Sequence, residues 1–259
     1  MAYAPLPGSR LRYQMSGTRG KPTLVLSNSL GADLEMWEPQ LKALGADHCV
    51  VRYDTRGHGE SASPPGPYTI EMLGRDVLAL LDHVESTQAS FCGISMGGLT
   101  GMWLAINAPE RITKLVLANT GAKIGSPEIW NARIAQVAKG GVASISDAVL
   151  DRWFTPEFKA AHPAAVAKAK VMMDRQPTDG YNALCAAVRD ADLREAIDAI
   201  AAPTLVIVGA HDVPTPPASG EFIAKAIRGA RLVTLPAAHI SNIEAADAFT
   251  AAVSEFLKN

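Results

Sequence analysis

Short apolar runs alternate with longer helical patterns along most of this chain, and the alternation limits the folds available to it. Six runs are short, β-branched and apolar, which is typical of strands buried on both faces of a parallel sheet. They cover residues 23–28, 48–54, 89–95, 113–120, 203–212 and 230–235. Helical patterns separate or follow them at residues 35–44, 69–86, 97–107, 219–228 and 242–257. The sequence therefore predicts an α/β fold with a mostly parallel central sheet flanked by helices.

The alternation stops between residues 121 and 201, where helical patterns follow one another without a convincing strand. Four patterns are present, at residues 127–141, 144–156, 162–176 and 179–193. Open α/β sheets bind ligands at the carboxyl edge of their strands, and a helical insertion at that edge forms a lid over the site. We therefore predict a core formed by residues 1–120 and 202–259 and a helical cap, or lid, formed by residues 121–201.

Composition and charge argue against several broad classes of function. The 259 residues carry a formal net charge of −2. No segment concentrates Lys and Arg with interleaved aromatic residues, so nucleic-acid binding is not expected. No apolar run is long enough to span a membrane and no signal peptide is recognisable, so we expect a cytoplasmic protein without membrane contact. The sequence does not specify an oligomeric state.

The cysteines and the remaining polar residues indicate neither a metal nor a cofactor. The chain has three cysteines, Cys49, Cys92 and Cys185, and their number and spacing match neither a disulfide framework nor a metal site. Two of them lie in apolar runs, where a buried free thiol is the expected state. No cluster of ligand residues suggests a bound metal.

Ser95 is the candidate nucleophile. It is the central residue of Gly93-Ile94-Ser95-Met96-Gly97, which directly follows the apolar run 89–95 and precedes the helical pattern 97–107. A strand, a sharp turn and a helix form the context of a nucleophile elbow, and the helix N-terminus supplies backbone N–H groups for an oxyanion. A pattern of only five residues also occurs by chance, and Ser95 would then be an incidental serine in a glycine-rich turn. The strand-to-helix context favours the nucleophile.

A serine nucleophile needs a histidine base, and a carboxylate must orient that base. In enzymes with such an elbow the acid and then the base follow the serine along the chain. Asp212 ends the apolar run 203–212, and His239 follows the run 230–235. Both therefore lie at the edge of the sheet that Ser95 occupies. The remaining histidines fit surface or core roles better: His48, His58, His83, His162 and His211.

An oxyanion hole needs two donors, which are backbone N–H groups in many acyl-transfer enzymes. The amide of Met96, the residue after the nucleophile, is one candidate. The second lies in the loop after the first apolar run, where Asn28 and Ser29 occupy the positions at which many hydrolases carry His-Gly. Leu30, the next residue, then becomes the donor. The side chains of Asn28 and Ser29 also fit simple loop chemistry, and Ser29 is a candidate contact for the substrate.

Five segments resemble one family of proteins. They are "SNSLG" (27–31), "RYDTRGHGES" (52–61), "FCGISMGG" (91–98), "IGSPEIW" (124–130) and "HISNIE" (239–244). Together they are similar to the 3-oxoadipate enol-lactonases of the α/β-hydrolase superfamily, and the resemblance extends over essentially the whole chain. The GxSxG and DxRGxGxS patterns occur throughout the superfamily, whereas the combination of the other segments is much more specific.

The resemblance implies an α/β-hydrolase fold and a particular reaction. It implies hydrolysis of 3-oxoadipate enol-lactone to 3-oxoadipate in aromatic catabolism, the protocatechuate and catechol branches of the β-ketoadipate pathway. Ser95 would be the nucleophile, Asp212 the acid and His239 the base, with the oxyanion held by the amides of Leu30 and Met96. The reaction passes through an acyl-enzyme and needs no cofactor or metal. The polar residues of the segment 52–61 are expected to fix a turn at the end of a strand.

The lid pattern contains two candidate contacts for such a substrate. The enol-lactone carries a free carboxylate, and burying that charge requires a cationic partner or strong donors. Trp130 and Arg133 are three residues apart and share a face of a helix. We expect Trp130 to wall the lactone ring and Arg133 to pair with the carboxylate. Arg152 is a second candidate, and a solvated surface charge is the simpler role for either arginine.

Other functions are compatible with the same fold. Carbon–carbon bond hydrolases of ring-cleavage products share the lid and the Ser-His-Asp arrangement, and other carboxylesterases share the chemistry. Cofactor-free perhydrolases and haloperoxidases also carry "SMGG", usually with a smaller lid. A non-catalytic module that holds a ligand in the pocket would have the same fold, because fold alone does not determine function. Turnover of an ester separates that module from the enzymes.

Overall fold

The computed structural model describes residues 2–6 and 8–258, and within them it forms one eight-stranded sheet. The spatial order of the strands is β1-β2-β4-β3-β5-β6-β7-β8. Strands β3 to β8 pair in parallel, whereas β1 and β2 join the sheet antiparallel. The strands are β1 (Ala2–Leu6), β2 (Ser9–Gly17), β3 (Thr23–Ser27), β4 (Cys49–Tyr53), β5 (Ala89–Ile94), β6 (Ile112–Ala118), β7 (Thr204–Gly209) and β8 (Arg231–Leu235).

The six strands expected from apolar runs are β3 to β8, and the mostly parallel α/β sheet is confirmed. Every residue of β4, β5 and β7 is buried, which explains why these strands are continuously apolar rather than alternating. The two N-terminal strands were not predicted. In β2, "SRLRYQMSG" mixes charged and apolar residues because most of its side chains are only partly buried, so it lacks the apolar run that identified the others.

Six of the described α-helices lie outside the segment between β6 and β7. They are α1 (Leu41–Asp47), α2 (Ile70–His83), α3 (Met96–Asn107), α9 (Pro217–Ala226), α10 (Ser241–Glu244) and α11 (Ala246–Lys258). α2 begins at Ile70 because the side chain of Thr69 accepts a hydrogen bond from the Met72 amide, which satisfies one free donor of the first turn. Residues 35–44, predicted as one helix, are a 3-10 helix (Leu34–Gln40) followed by α1. Pro39 lies inside that segment and lacks the N–H that a continuous α-helix requires.

Between β6 and β7 the chain is entirely helical apart from loops. All residues from 121 to 201 are described, and they form five α-helices: α4 (Pro127–Gly140), α5 (Ser146–Trp153), α6 (Pro156–Ala161), α7 (Pro163–Asp174) and α8 (Thr178–Asp190). The prediction of four was wrong because α6 was not recognised. Thr155 caps α6 by accepting from the Phe158 amide, and Pro156 occupies its first position, a favourable start for a helix. The division of the chain into a core and a lid stays a prediction, and below "lid" names only the segment 121–201 and "core" the rest of the chain.

The helices after β6 are tied to the rest of the chain by polar contacts. Arg175 donates to the buried Asp33 carboxylate, with Nη2 and Oδ2 2.6 Å apart. Gln176 accepts from the Gly59 amide at 2.8 Å. Near the opposite end of the lid, the Ile240 amide donates to the Trp153 carbonyl at 3.1 Å. These bonds hold the lid helices to loops at the carboxyl edge of the sheet.

Two further expectations concern cysteines and membranes. Cys49, Cys92 and Cys185 all lie within the described ranges, and all three are buried and free. In the part of the chain that the structure describes, no helix is both long and apolar enough to cross a membrane.

Candidate active site

Ser95 lies at the point where β5 turns sharply into α3. Its backbone has φ 57° and ψ −114°, a conformation that is costly for any residue with a Cβ. The turn is held by two hydrogen bonds, one from the Ser95 amide to the Ala118 carbonyl at 3.1 Å and one from Thr120 Oγ1 to the Ser95 carbonyl at 2.7 Å. The end of β6 and the residues just after it therefore hold the strained backbone of this turn in place.

The glycines around Ser95 allow the strand and the helix to approach closely. A Cβ placed on Gly93 would lie 2.2 Å from the Gly97 carbonyl oxygen. A Cβ on Gly97 would lie 2.3 Å from the Ser27 carbonyl oxygen. Both distances are far below van der Waals contact and involve backbone atoms that cannot move aside. The five-residue pattern is thus a requirement of the elbow and not an incidental turn.

His239 and Asp212 form a buried pair at the same edge of the sheet. The two Asp212 carboxylate oxygens each lie 3.0 Å from His239 Nδ1, so the Nδ1–H donates to the carboxylate and Nε2 is left for the cavity. Burial alone would raise the pKa of Asp212, but His239 and the surrounding hydrogen-bond donors outweigh it and hold that pKa below its ordinary value. Asp212 is therefore ionised and able to stabilise an imidazolium.

Three residues that the sequence did not single out orient this pair. Thr215 donates to Asp212 twice, through its amide at 3.0 Å and through Oγ1 at 2.7 Å. Asn119 Nδ2 donates to Asp212 Oδ2 at 3.0 Å and also to the Ala238 carbonyl. Ser241 Oγ in turn donates to Asn119 Oδ1 at 2.5 Å. Two of these residues have a signal in the sequence. Asn119 directly follows a buried strand, and Thr215 lies three residues after Asp212.

A cavity of about 240 Å³ connects these groups with the lid. From the core side it is lined by Ser29, Leu30, Ser95, Val213, Pro214 and His239. From the lid side it is lined by Ile124, Gly125, Ile129, Trp130, Arg133, Val149, Arg152 and Trp153. The cavity thus brings together six of the eight site residues expected from the sequence. Of the other two, Asp212 is hydrogen-bonded to His239 and Met96 directly follows Ser95.

The Met96 side chain is buried and does not line the cavity, so only its backbone amide is a candidate for the site. As the first residue of α3, it has an amide without an intrahelical acceptor. The Leu30 amide donates to no group in the described ranges. Both amides thus remain candidate donors, and their role in an oxyanion hole stays a prediction.

The loop before Leu30 is held by its side chains. Asn28 Nδ2 donates to the Tyr53 carbonyl at 2.7 Å, and Asn28 Oδ1 accepts from Trp37 Nε1 at 2.9 Å. Asn28 is fully buried and does not reach the cavity. Asn28 therefore holds the loop in place, which is the simple loop role predicted from the sequence, whereas Ser29 lines the cavity.

The lid side of the cavity carries two guanidinium groups. Trp130 is anchored by a hydrogen bond from Nε1 to the Ile124 carbonyl at 2.7 Å, and the Arg133 guanidinium lies over its ring at 4.8 Å. Within the described residues, neither Arg133 nor Arg152 forms an ion pair with a carboxylate. Burial and the positive charge of Arg133 lower the pKa of Arg152, although an arginine stays protonated. The cavity therefore carries two positive charges that an anionic ligand would compensate.

Comparison with known proteins agrees with this geometry. The family model for the alpha/beta hydrolase fold matches residues 22–246. The chain is 45% identical over 248 residues to 3-oxoadipate enol-lactonase 2 of Acinetobacter baylyi, covering 96% of this chain and 93% of that protein. It is also 30% identical to a putative carbamate hydrolase RutD of Variovorax paradoxus, over 95% of this chain and 96% of the relative. A crystal structure of the enol-lactonase from Burkholderia xenovorans LB400 superimposes with a TM-score of 0.99 at 48% identity and full coverage of both chains.

The sheet, the elbow and the family match define the class of this protein as an α/β hydrolase. Within that class, the chain belongs to the family of the 3-oxoadipate enol-lactonases. The fold and the family resemblance expected from the sequence are both confirmed.

Proposed function

We propose that this protein hydrolyses 3-oxoadipate enol-lactone to 3-oxoadipate, a step of aromatic degradation by the β-ketoadipate pathway. The observation that carries the proposal is one cavity that joins Ser95 and His239 to Arg133 and Arg152, neither of which pairs with a carboxylate in residues 2–6 and 8–258. Such a cavity suits a small ester that bears a negative charge. The relatives named as enol-lactonases, at 45% and 39% identity, support the same substrate.

The first half of the reaction acylates Ser95. Its Oγ attacks the lactone carbonyl while His239 Nε2 takes the hydroxyl proton, and Asp212 stabilises the imidazolium. The amides of Leu30 and Met96 donate to the oxyanion of the tetrahedral intermediate. When the ring C–O bond breaks, the imidazolium returns the proton to the enol oxygen. The enol then becomes a ketone, which makes the ring opening hard to reverse.

The second half frees the serine. His239 takes a proton from a water molecule as that water attacks the acyl carbonyl, and the same amides hold the second oxyanion. Ser95 leaves with the proton from His239, and the new carboxylic acid loses its remaining proton to solvent to become a carboxylate. His239 carries the proton in both acyl-transfer steps, and these steps call for no metal or cofactor.

Arg133 is the proposed partner of the substrate carboxylate, and Trp130 is proposed to cover the lactone ring. Arg133 lies on the indole ring of Trp130, so the cation and the apolar wall are held together on α4. A guanidinium binds a carboxylate through two parallel N–H groups, which fixes the orientation of the substrate as well as its affinity. Arg152 lines the same cavity and is the second candidate for this contact.

The experiment that tests the function offers the purified protein three substrates: the enol-lactone, a neutral aryl ester and a ring-cleavage diketone. We expect kcat/KM to be highest for the enol-lactone by at least about two orders of magnitude, since the arginines have an anion to bind only in a charged substrate. The Ser95→Ala variant is the matched control for each reaction. Faster cleavage of the diketone would assign the protein to carbon–carbon bond hydrolysis instead, and no turnover of any ester would leave a ligand-binding module.

A further inference from the structure

His58 is a fully buried histidine that the proposed reaction does not use. It lies in the turn after β4 and is 0% exposed. The Gly31 amide donates to His58 Nε2 at 2.8 Å, and His58 Nδ1 lies 2.7 Å from the Gly57 carbonyl oxygen. Only the neutral tautomer with its proton on Nδ1 satisfies both bonds. Burial lowers the pKa of His58 to about 4, which agrees with that neutral form.

The Gly31 amide belongs to the loop that carries the candidate oxyanion donor. Gly31 directly follows Leu30 and has a φ of +86°, in the left-handed region that favours glycine. Its N–H is part of the Leu30–Gly31 peptide plane. When that plane is fixed by His58, rotation about the Leu30 backbone is restricted, and the preceding peptide, which carries the Leu30 N–H, is restrained as well.

The same loop and the same histidine contact the lid. The His58 ring stacks on the Tyr181 ring of α8, with centroids 5.8 Å apart and planes 19° apart. A Cβ on Gly31 would lie 3.4 to 3.6 Å from three lid side chains. These are Tyr181, Met173 and Trp153. Tyr181 also lies beside Arg133, whose charge opposes the increase in the Tyr181 pKa that burial causes. A continuous set of contacts therefore runs from the proposed carboxylate partner to the oxyanion loop.

A purely local role for His58 does not explain these contacts. The turn after β4 is closed by bonds that do not involve the imidazole, such as Ser61 Oγ to the Asp54 carbonyl at 2.6 Å and the Gly57 amide to the Ala62 carbonyl at 2.9 Å. The bond from Gly31 reaches across 27 residues of sequence. It acts on the oxyanion loop and not on the turn.

We propose that His58 is a positioning residue for the oxyanion hole, holding the Leu30–Gly31 peptide in place and linking it through Tyr181 to the lid. The inference rests on the proposed function in one respect, namely that the Leu30 amide receives the oxyanion. The role concerns the transition state and not the affinity for the substrate.

Two substitutions at position 58 test the hydrogen bonds of the two ring nitrogens separately. Asparagine at position 58 keeps a donor for the Gly57 carbonyl but does not reach Gly31, whereas glutamine can place an acceptor near the position of Nε2. We expect His58→Asn to lower kcat by about 10- to 100-fold, because small displacements of catalytic donors cost this much. KM should change less than about threefold, and His58→Gln should recover kcat to within about fivefold of wild type. His83→Asn, which removes an exposed histidine on α2, is the matched control and should leave both constants unchanged.

A transition-state analogue gives a readout that a merely structural role would not change. A boronic acid that bears a carboxylate forms a tetrahedral adduct with Ser95 and places an oxygen in the oxyanion hole. In His58→Asn its affinity should fall by the same factor as kcat/KM, which a loss of stability alone would not produce. His58→Phe keeps the stack on Tyr181 and lacks the acceptor. If His58→Asn does not fold, this variant should show the same loss.

Two outcomes would overturn the proposal. One is wild-type kcat and boronate affinity in His58→Asn with only a lower melting temperature. The other is a His58→Gln variant that is no more active than His58→Asn. A finding that the enol-lactone is not the substrate is distinguishable from both outcomes. Hydrolysis of a neutral aryl ester uses the same oxyanion hole and reports the effect of His58 without the lactone.

Discussion

Replacing His58 by glutamine should change how the stability of this protein depends on pH. The folded state holds His58 neutral with a pKa of about 4, and the cause is burial, partly offset by the Gly57 carbonyl, with no charged side chain contributing. An unfolded histidine has a pKa near 6.5. The depressed pKa means that stability is complete above about pH 6.5 and is lost as the pH falls toward 4, because only the unfolded chain takes up the proton readily.

The magnitude follows from the difference between the two pKa values. Each unit is worth about 1.4 kcal/mol, so the full loss below pH 4 is about 3 kcal/mol, and about 2 kcal/mol of it is already lost at pH 5. Urea unfolding of wild type and His58→Gln at pH 8, 6.5 and 5 measures this quantity. All other titrating groups are the same in both proteins, so their contributions cancel in the comparison.

We therefore expect the free energy of unfolding of wild type to fall by about 2 kcal/mol more than that of His58→Gln between pH 8 and pH 5. His83→Asn, at an exposed position, should behave as wild type. Parallel curves for wild type and His58→Gln would refute the reasoning, because they would show that residue 58 gains no proton on unfolding and is not held neutral in the fold.

Five further substitutions test the site. Ser95→Gly should abolish turnover yet raise the free energy of unfolding by about 1 kcal/mol, since it relieves the positive φ at the elbow; thermal unfolding with an activity assay checks both. Ser95→Ala and His239→Ala should each be severe and the double variant scarcely worse, because they act in one step, whereas multiplicative losses in kcat would contradict a shared role. Arg133→Met should raise KM for the enol-lactone by about tenfold or more and leave a neutral aryl ester unaffected; an equal change on both substrates would move the assignment to Arg152. Thr215→Val should lower kcat by about tenfold at constant KM, because Asp212 loses one charge-assisted hydrogen bond, and wild-type kcat would contradict that role.

The parts of the site that could be predicted from sequence are those with a local signal. Ser95 lies in a short pattern whose glycines are required by the close approach of strand and helix. Asp212 and His239 were selected because residues after parallel strands meet at one edge of a sheet, and the structure places them in hydrogen-bond contact. Their catalytic roles, like those of Leu30 and Met96, stay predictions.

The parts that could not be predicted depend on contacts between distant segments. Asn119 is an ordinary polar residue in sequence, and its importance arises only because the loop of Asp212, 93 residues later, folds against it. The bond between Gly31 and His58 likewise has no local pattern. β1 and β2 escaped notice because strands at a partly exposed edge need no continuous apolar run.

The most direct test of the central claim is the mass of the enzyme during turnover. Ring opening of a lactone releases no fragment, so an acyl-enzyme carries every atom of the substrate. Wild-type protein mixed with the enol-lactone and quenched in acid within milliseconds should gain the full mass of the lactone on the peptide that contains Ser95, and Ser95→Ala should gain none. Consumption of the lactone by Ser95→Ala at the wild-type rate, with no adduct on the wild-type peptide, would contradict hydrolysis through this serine.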